Sequence, residues 1–144
     1  MSLLVVAVLG ALAGATGETP ALVVQAADSP VKIERATILT AADAPPLVLY
    51  SATNLTDGEL DQFTVIVFVF DAKGTLKARQ IAPARRTLEA RGTKYSTIVL
   101  DGSPVGPTDQ IVIGVNQAQR VNSDTWWRAD IQAAAAAAVQ HNRP

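Results

Sequence analysis

Few side chains in this sequence are equipped for chemistry. Trp126 and Trp127 stand side by side after Asn122-Ser123-Asp124. An indole offers a broad apolar face and one N–H, which suits it to a stacking platform or an interface anchor. Neighbours on a strand point to opposite faces. One indole is therefore expected to close the core, while the other serves as a ligand platform or packs beneath the alanine-rich tail. Asp57, Glu59 and Asp61 alternate within one short segment. Grouped carboxylates do acid–base work or hold a hard cation. Their spacing is loosely that of a calcium loop, but the later bidentate Glu is missing and Phe63 to Phe70 follows. A solvated loop is the expectation.

The bases are concentrated elsewhere. From Lys73 to Lys94 seven of them (Lys73, Lys77, Arg79, Arg85, Arg86, Arg91, Lys94) meet one acid, Glu89, for a local charge of +6. Such a stretch suits anionic lipid, polysaccharide or an acidic partner, with Arg79, Arg85 and Arg86 as its contacts. The competing reading is protection of an edge strand together with pairing to the acidic segment. The stretch lacks the interleaved aromatics that stack on bases, so nucleic acid is not expected. Asn54-Leu55-Thr56 is a glycosylation sequon only in a eukaryotic host.

Composition removes whole classes of function. The 144 residues fit one domain with tails, and the net charge of −1 is unlike that of a nucleic-acid binder. With no Cys there is no disulfide, thiol catalysis or Cys-ligated zinc. The one His, His141, lies in the C-terminal tail, so no His cluster can form. Neither G-x-S-x-G nor a phosphate-cradling G-x-x-x-x-G-K-[ST] occurs. No residue is nominated as catalytic, no metal ligand set is found and no cofactor is implied; the chain is expected not to be an enzyme.

These side chains must be positioned by strands. Val31 to Leu39 is β-branched and loosely alternating, as in an edge strand. Thr40 to Pro46 is a turn-rich break, because paired prolines interrupt a ladder. Leu47 to Thr53 is a second strand. Thr64 to Phe70 is apolar at every position after Thr64, and is expected at the centre of a sheet covered on both faces. Asp71-Ala72-Lys73-Gly74 marks a hairpin, with Gly74 supplying positive φ. Thr75 to Ala82, Lys94 to Leu100 and Asp109 to Val121 complete the strands; Gly114 in the last marks close packing or a bulge. Ala133 to Ala138 are consecutive alanines, favouring a short helix with little bulk to contribute to a core. Short strands without interleaved helices predict an all-β, immunoglobulin-like antiparallel β-sandwich with a short Ala-rich C-terminal helix.

Before the strands, Leu3 to Ala13 is apolar and uncharged, and Glu18 is the first charged side chain. The run is about half the roughly 20 residues that a spanning helix needs, which fits the apolar region of a secretory leader. Small residues two apart offer cleavage at Ala13-Gly14-Ala15 or at Val24-Gln25-Ala26, and the second is preferred because Asp28-Ser29-Pro30 then opens a polar chain. The expected organisation is a signal peptide over 1–26, a sandwich over 27–128 and a helical tail over 129–144.

The body resembles bacterial extracytoplasmic immunoglobulin-like domains of the FxLYD-like kind across roughly residues 31–121. Asn54-Leu55-Thr56 ends one strand, Thr64 to Phe70 runs into Asp71-Ala72-Lys73-Gly74, and Leu88-Glu89-Ala90-Arg91-Gly92 precedes the strand at Tyr95. The chain departs from the pattern where Ala90-Arg91 replaces a proline context and Phe70-Asp71 replaces Tyr-Asp. The resemblance implies an envelope-facing binding or spacer module without catalytic residues. The expectation is a non-catalytic module, periplasmic or secreted, whose partner is a protein or envelope component and which contacts it through Arg79, Arg85, Arg86, Trp126 or Trp127. The alternative is a small-ligand or carbohydrate binder using an exposed Trp. A homo-oligomer formed through a sheet face or edge is a further expectation.

Overall fold

The computed structural model describes residues 16–84, 87–102 and 104–143. The apolar run Leu3 to Ala13, together with Arg85 and Arg86, lies outside the described residues. The strands are β1 (Thr16–Pro20), β2 (Leu22–Val24), β3 (Val31–Ala41), β4 (Ala44–Asn54), β5 (Leu60–Phe70), β6 (Leu76–Ala84), β7 (Thr93–Val99), β8 (Gln110–Arg120) and β9 (Thr125–Trp127); the helix is α1 (Ile131–His141). One sheet has the order β1-β3-β4-β7, and the other β2-β8-β5-β6 with β9 also pairing to β8. Every pairing is antiparallel except β2 with β8. The architecture is an all-β sandwich with one short Ala-rich C-terminal helix.

Alternation builds the main core. Val31, Ile33 and Ile38 of β3 and Val48, Tyr50 and Ala52 of β4 meet Val65, Val67 and Val69 of β5 and Ile111, Ile113 and Val115 of β8. The break expected over Thr40 to Pro46 is narrower in the fold: Thr40 and Ala41 end β3, Ala44, Pro45 and Pro46 open β4, and the turn itself is Ala42 and Asp43. The β3–β4 ladder loses register between Leu39 and Ala41, opposite Pro45 and Pro46. In the 71–74 hairpin, Gly74 has φ +83°, and Asp71 Oδ1 accepts the N–H groups of Lys73 and Thr75 at 2.9 Å each.

Three further expectations about the elements are corrected. Val31 to Leu39 is not an edge strand: β3 lies between β1 and β4. The reason is that the sandwich starts before residue 27. Thr16 to Pro20 pair with β3, and Leu22 to Val24 pair with β8. The alanine-rich helix is also more than an appendage. Ile131, Ala135 and Val139 are buried against Ile66, Phe68 and Phe70 of β5, Val112 of β8 and Val24 of β2, forming a second core on the outer face of the sheet. Alanine permits this: without bulk on its lower face, a helix can come close to a sheet of large side chains. A Cβ on Gly114 would stand 2.8 Å from Val24 Cγ2 and 3.0 Å from Ile131 Cδ1, so the glycine marks close packing. At the far end, Arg143 Nη2 donates to the Ala72 carbonyl at 3.2 Å, tying the helix terminus to the hairpin. The inner face of β5 is thus covered by the main core, and its outer face is closed from Ile66 to Phe70 by the chain's own helix.

Candidate functional site

The tryptophans separate as strand alternation requires. Trp126 packs against the main core and donates from Nε1 to Asp28 Oδ2 at 3.1 Å. Trp127 turns outward and is 64% exposed, so the reading that placed it beneath the alanine helix is corrected. β9 is too short to carry Trp127 under α1, which instead settles on β5, β8 and β2.

Cross-strand register defines the company that Trp127 keeps. Gln117 lies opposite it on β8, Thr64 opposite Gln117 on β5, and Pro83 opposite Thr64 on β6. The next row on the same face is Thr125, Gln119 and Gln62, with Gln62 Nε2 donating to Gln119 Oε1 at 3.1 Å. A register shift between Thr64 and Val65 leaves Asn116 as the extra residue of β8. Its carbonyl accepts the Arg128 N–H at 2.9 Å, and its Oδ1 is buried without a partner. The result is one exposed indole beside two rows of amides and hydroxyls that carry no formal charge. Such a surface can stack on an apolar ring face while its amides donate to and accept from neutral polar groups.

The basic stretch does not gather into one patch among the described residues. Arg79 lies on the outer face of β6, opposite Phe68, and reaches Gln132 of the helix at 3.4 Å. Lys77 forms an ion pair with Asp109 and donates to the Pro104 carbonyl at 3.2 Å. Arg91 Nε pairs with Asp57 Oδ1 at 2.9 Å, as the reading of charge pairing with the acidic segment expects. Lys94 donates to the Thr87 carbonyl. The open edges β6 and β7 are guarded as well: Gln80 Nε2 bridges from β6 to the Val99 carbonyl of β7 at 2.6 Å, and Pro83 interrupts donation along β6.

The carboxylates serve structure. Among the described residues, no group of three acids, His or Cys is arranged to hold a metal ion. Asp109, with its side chain only 6% exposed, accepts from Lys77 Nζ and from the Gly106 N–H at 2.7 Å. Burial pushes its carboxyl up, but the Lys77 hydrogen bond, the Gly106 N–H and the Lys77 charge outweigh burial and hold it below the usual carboxylate range. His141 is exposed in the last turn of α1.

Sequence reasoning missed Asn54. It is fully buried, and its Nδ2 lies 2.8 Å from the Gly58 carbonyl and 3.1 Å from each of the Leu88 and Glu89 carbonyls. Its Oδ1 accepts from Thr56 N at 2.9 Å and Thr56 Oγ1 at 2.7 Å. The N-x-T signal therefore marks a turn clamp that fixes the end of β4 to the 88–92 connector. The glutamines near Trp127 had a visible signal too: polar side chains alternate at Gln117 and Gln119 once β8 passes Gly114.

Away from that face, a concavity of about 750 Å³ opens at the end of the sandwich between β1, β3 and the 105–109 segment. Its lining includes Thr19, Ile38, Thr40, Val105 and Gln110, and Gln110 Oε1 is buried without a partner. The chain matches no protein-family model, no curated protein and no solved structure.

Proposed function

We propose that this protein is a non-catalytic binding module of the extracytoplasmic bacterial envelope, and that it takes a neutral, polyhydroxylated ligand of the carbohydrate class on the sheet face around Trp127. The observation that carries the reading is the exposed Trp127 indole in register with Gln117 and Thr64, beside the Gln119–Gln62 row. An indole face matches the apolar C–H face of a sugar ring, and uncharged amides match its hydroxyls in both directions. The absence of formal charge from these two rows disfavours an anionic ligand there. The resemblance to bacterial extracytoplasmic immunoglobulin-like domains supports the location and the binding role. The open edges support a protein partner less well, because Gln80 occupies the Val99 carbonyl and Pro83 has no N–H to offer an added strand.

Intrinsic fluorescence tests the reading, since Trp126 is held by the core and Trp127 faces solvent. Titration with a panel of neutral oligosaccharides is expected to shift the emission of Trp127. Trp127→Ala is expected to abolish the change while leaving the Trp126 emission and the melting temperature in place. Removing a central aromatic anchor should weaken binding by roughly thirtyfold or more. A panel that leaves the spectrum unmoved, or a Trp127→Ala protein that binds equally well, rejects the proposal.

A further inference from the structure

The segment between the apolar run and β3 carries an inference about processing, which rests on the export reading above. We propose that the exported chain is cut between Ala15 and Thr16, so that the mature protein begins with β1. Two small-x-small signals precede the sandwich, Ala13-Gly14-Ala15 and Val24-Gln25-Ala26. The second lies inside the folded unit. A cut after Ala26 discards Thr16 to Pro20, which pair residue by residue with Ala41 to Thr37, and turns β3 into an edge. It also discards Leu22 to Val24, which pair with β8 from Val112 to Gly114.

The losses extend beyond the ladders. Val24 is buried in the second core under α1, and Arg128 Nη1 donates to its carbonyl at 3.3 Å. Gln25 Nε2 donates to the Val31 carbonyl at 3.0 Å, and Gln25 Oε1 accepts the Ile33 N–H at 3.3 Å. The Ser29 N–H donates to the Ala26 carbonyl at 3.2 Å across the bond that would be cut. By contrast, the first signal ends one residue before the first ladder pair, Thr16 with Ala41. A cut there keeps every described strand. The reaction is hydrolysis of the Ala15–Thr16 amide by a membrane-bound leader peptidase. Water adds across the C–N bond, leaving a carboxylate on Ala15 of the released leader and an ammonium on Thr16.

The test expresses the full 1–144 chain in a bacterial host and determines the N-terminus of the exported protein by intact mass and terminal sequencing. The expected mature N-terminus is Thr16. In pulse-labelled cells, where processing is read before folding matters, Ala15→Tyr should accumulate the precursor and Ala26→Tyr should be processed like the parent. A mature chain starting at Ala27, or a precursor that accumulates with Ala26→Tyr and not with Ala15→Tyr, overturns the proposed cut and leaves export standing. Export with Met1 retained overturns the cut as well. A chain that stays in the cytoplasm rejects the export reading itself, and the proposal with it.

Discussion

Asn54 does at residue scale what no apolar side chain could. It presents one amide to carbonyls from two segments and accepts two bonds from Thr56. Asn54→Asp replaces the donor with acceptors facing the Gly58, Leu88 and Glu89 carbonyls, so buried oxygens confront one another. The expected loss is about 3 kcal/mol, read as a fall of about 10 °C in melting temperature. A variant that melts with the parent contradicts the clamp. Asp109 contributes to the response to acid. Its carboxyl titrates lower in the folded chain than in the unfolded one, so the unfolded state takes up protons first as pH falls. The stability it contributes is present above its unfolded pKa of about 4 and is lost as pH drops through the lower folded value. Urea midpoints measured from pH 6 to pH 3 should show this fall, and Asp109→Asn should flatten it. Neither role was legible in the chain. Asn54 reads as a sequon, and Asp109 needs Lys77, which only folding brings beside it.

Among the elements, β5 and α1 are interdependent. The double apolar character of Thr64 to Phe70 announced two covered faces, because every second position would otherwise be polar. What covers the outer face was not legible, since six alanines promise little buried area when counted one by one. Their contribution is close approach: Ile131 and Val139 reach the sheet because Ala135 between them leaves room. Val139→Ala should therefore cost about 2 kcal/mol despite lying near the C-terminus. It should also speed amide exchange in α1 and, through the uncovered Phe68 and Phe70, in β5. Exchange that changes only in the last turn of the helix would show that α1 is dispensable. The strands before residue 27 were hidden for a different reason. Thr16 to Val24 is short, carries Gly17 and Pro20, and follows an apolar run, so nothing local distinguishes it from the end of a leader. Its strand identity comes from β3 and β8, which supply the partners.

The whole molecule is a two-sheet sandwich, and the outer face of its β2-β8-β5-β6 sheet is divided. One part lies under α1, and another stays open around Trp127. The basic stretch that looked like a surface in the sequence is divided by the fold, with Lys77 and Arg91 neutralised by Asp109 and Asp57. The indole and the glutamines are far apart in the chain, yet strand register sets them side by side. The most direct measurement is a two-dimensional amide and indole spectrum of isotopically labelled protein during titration with a neutral oligosaccharide. Shifts are expected at the Trp127 indole and at the Gln62, Gln117 and Gln119 side-chain amides, with the Trp126 indole unmoved. Shifts confined to Gln110 and the far end of the sandwich, or an unchanged spectrum at saturating sugar, would contradict the proposed site at Trp127.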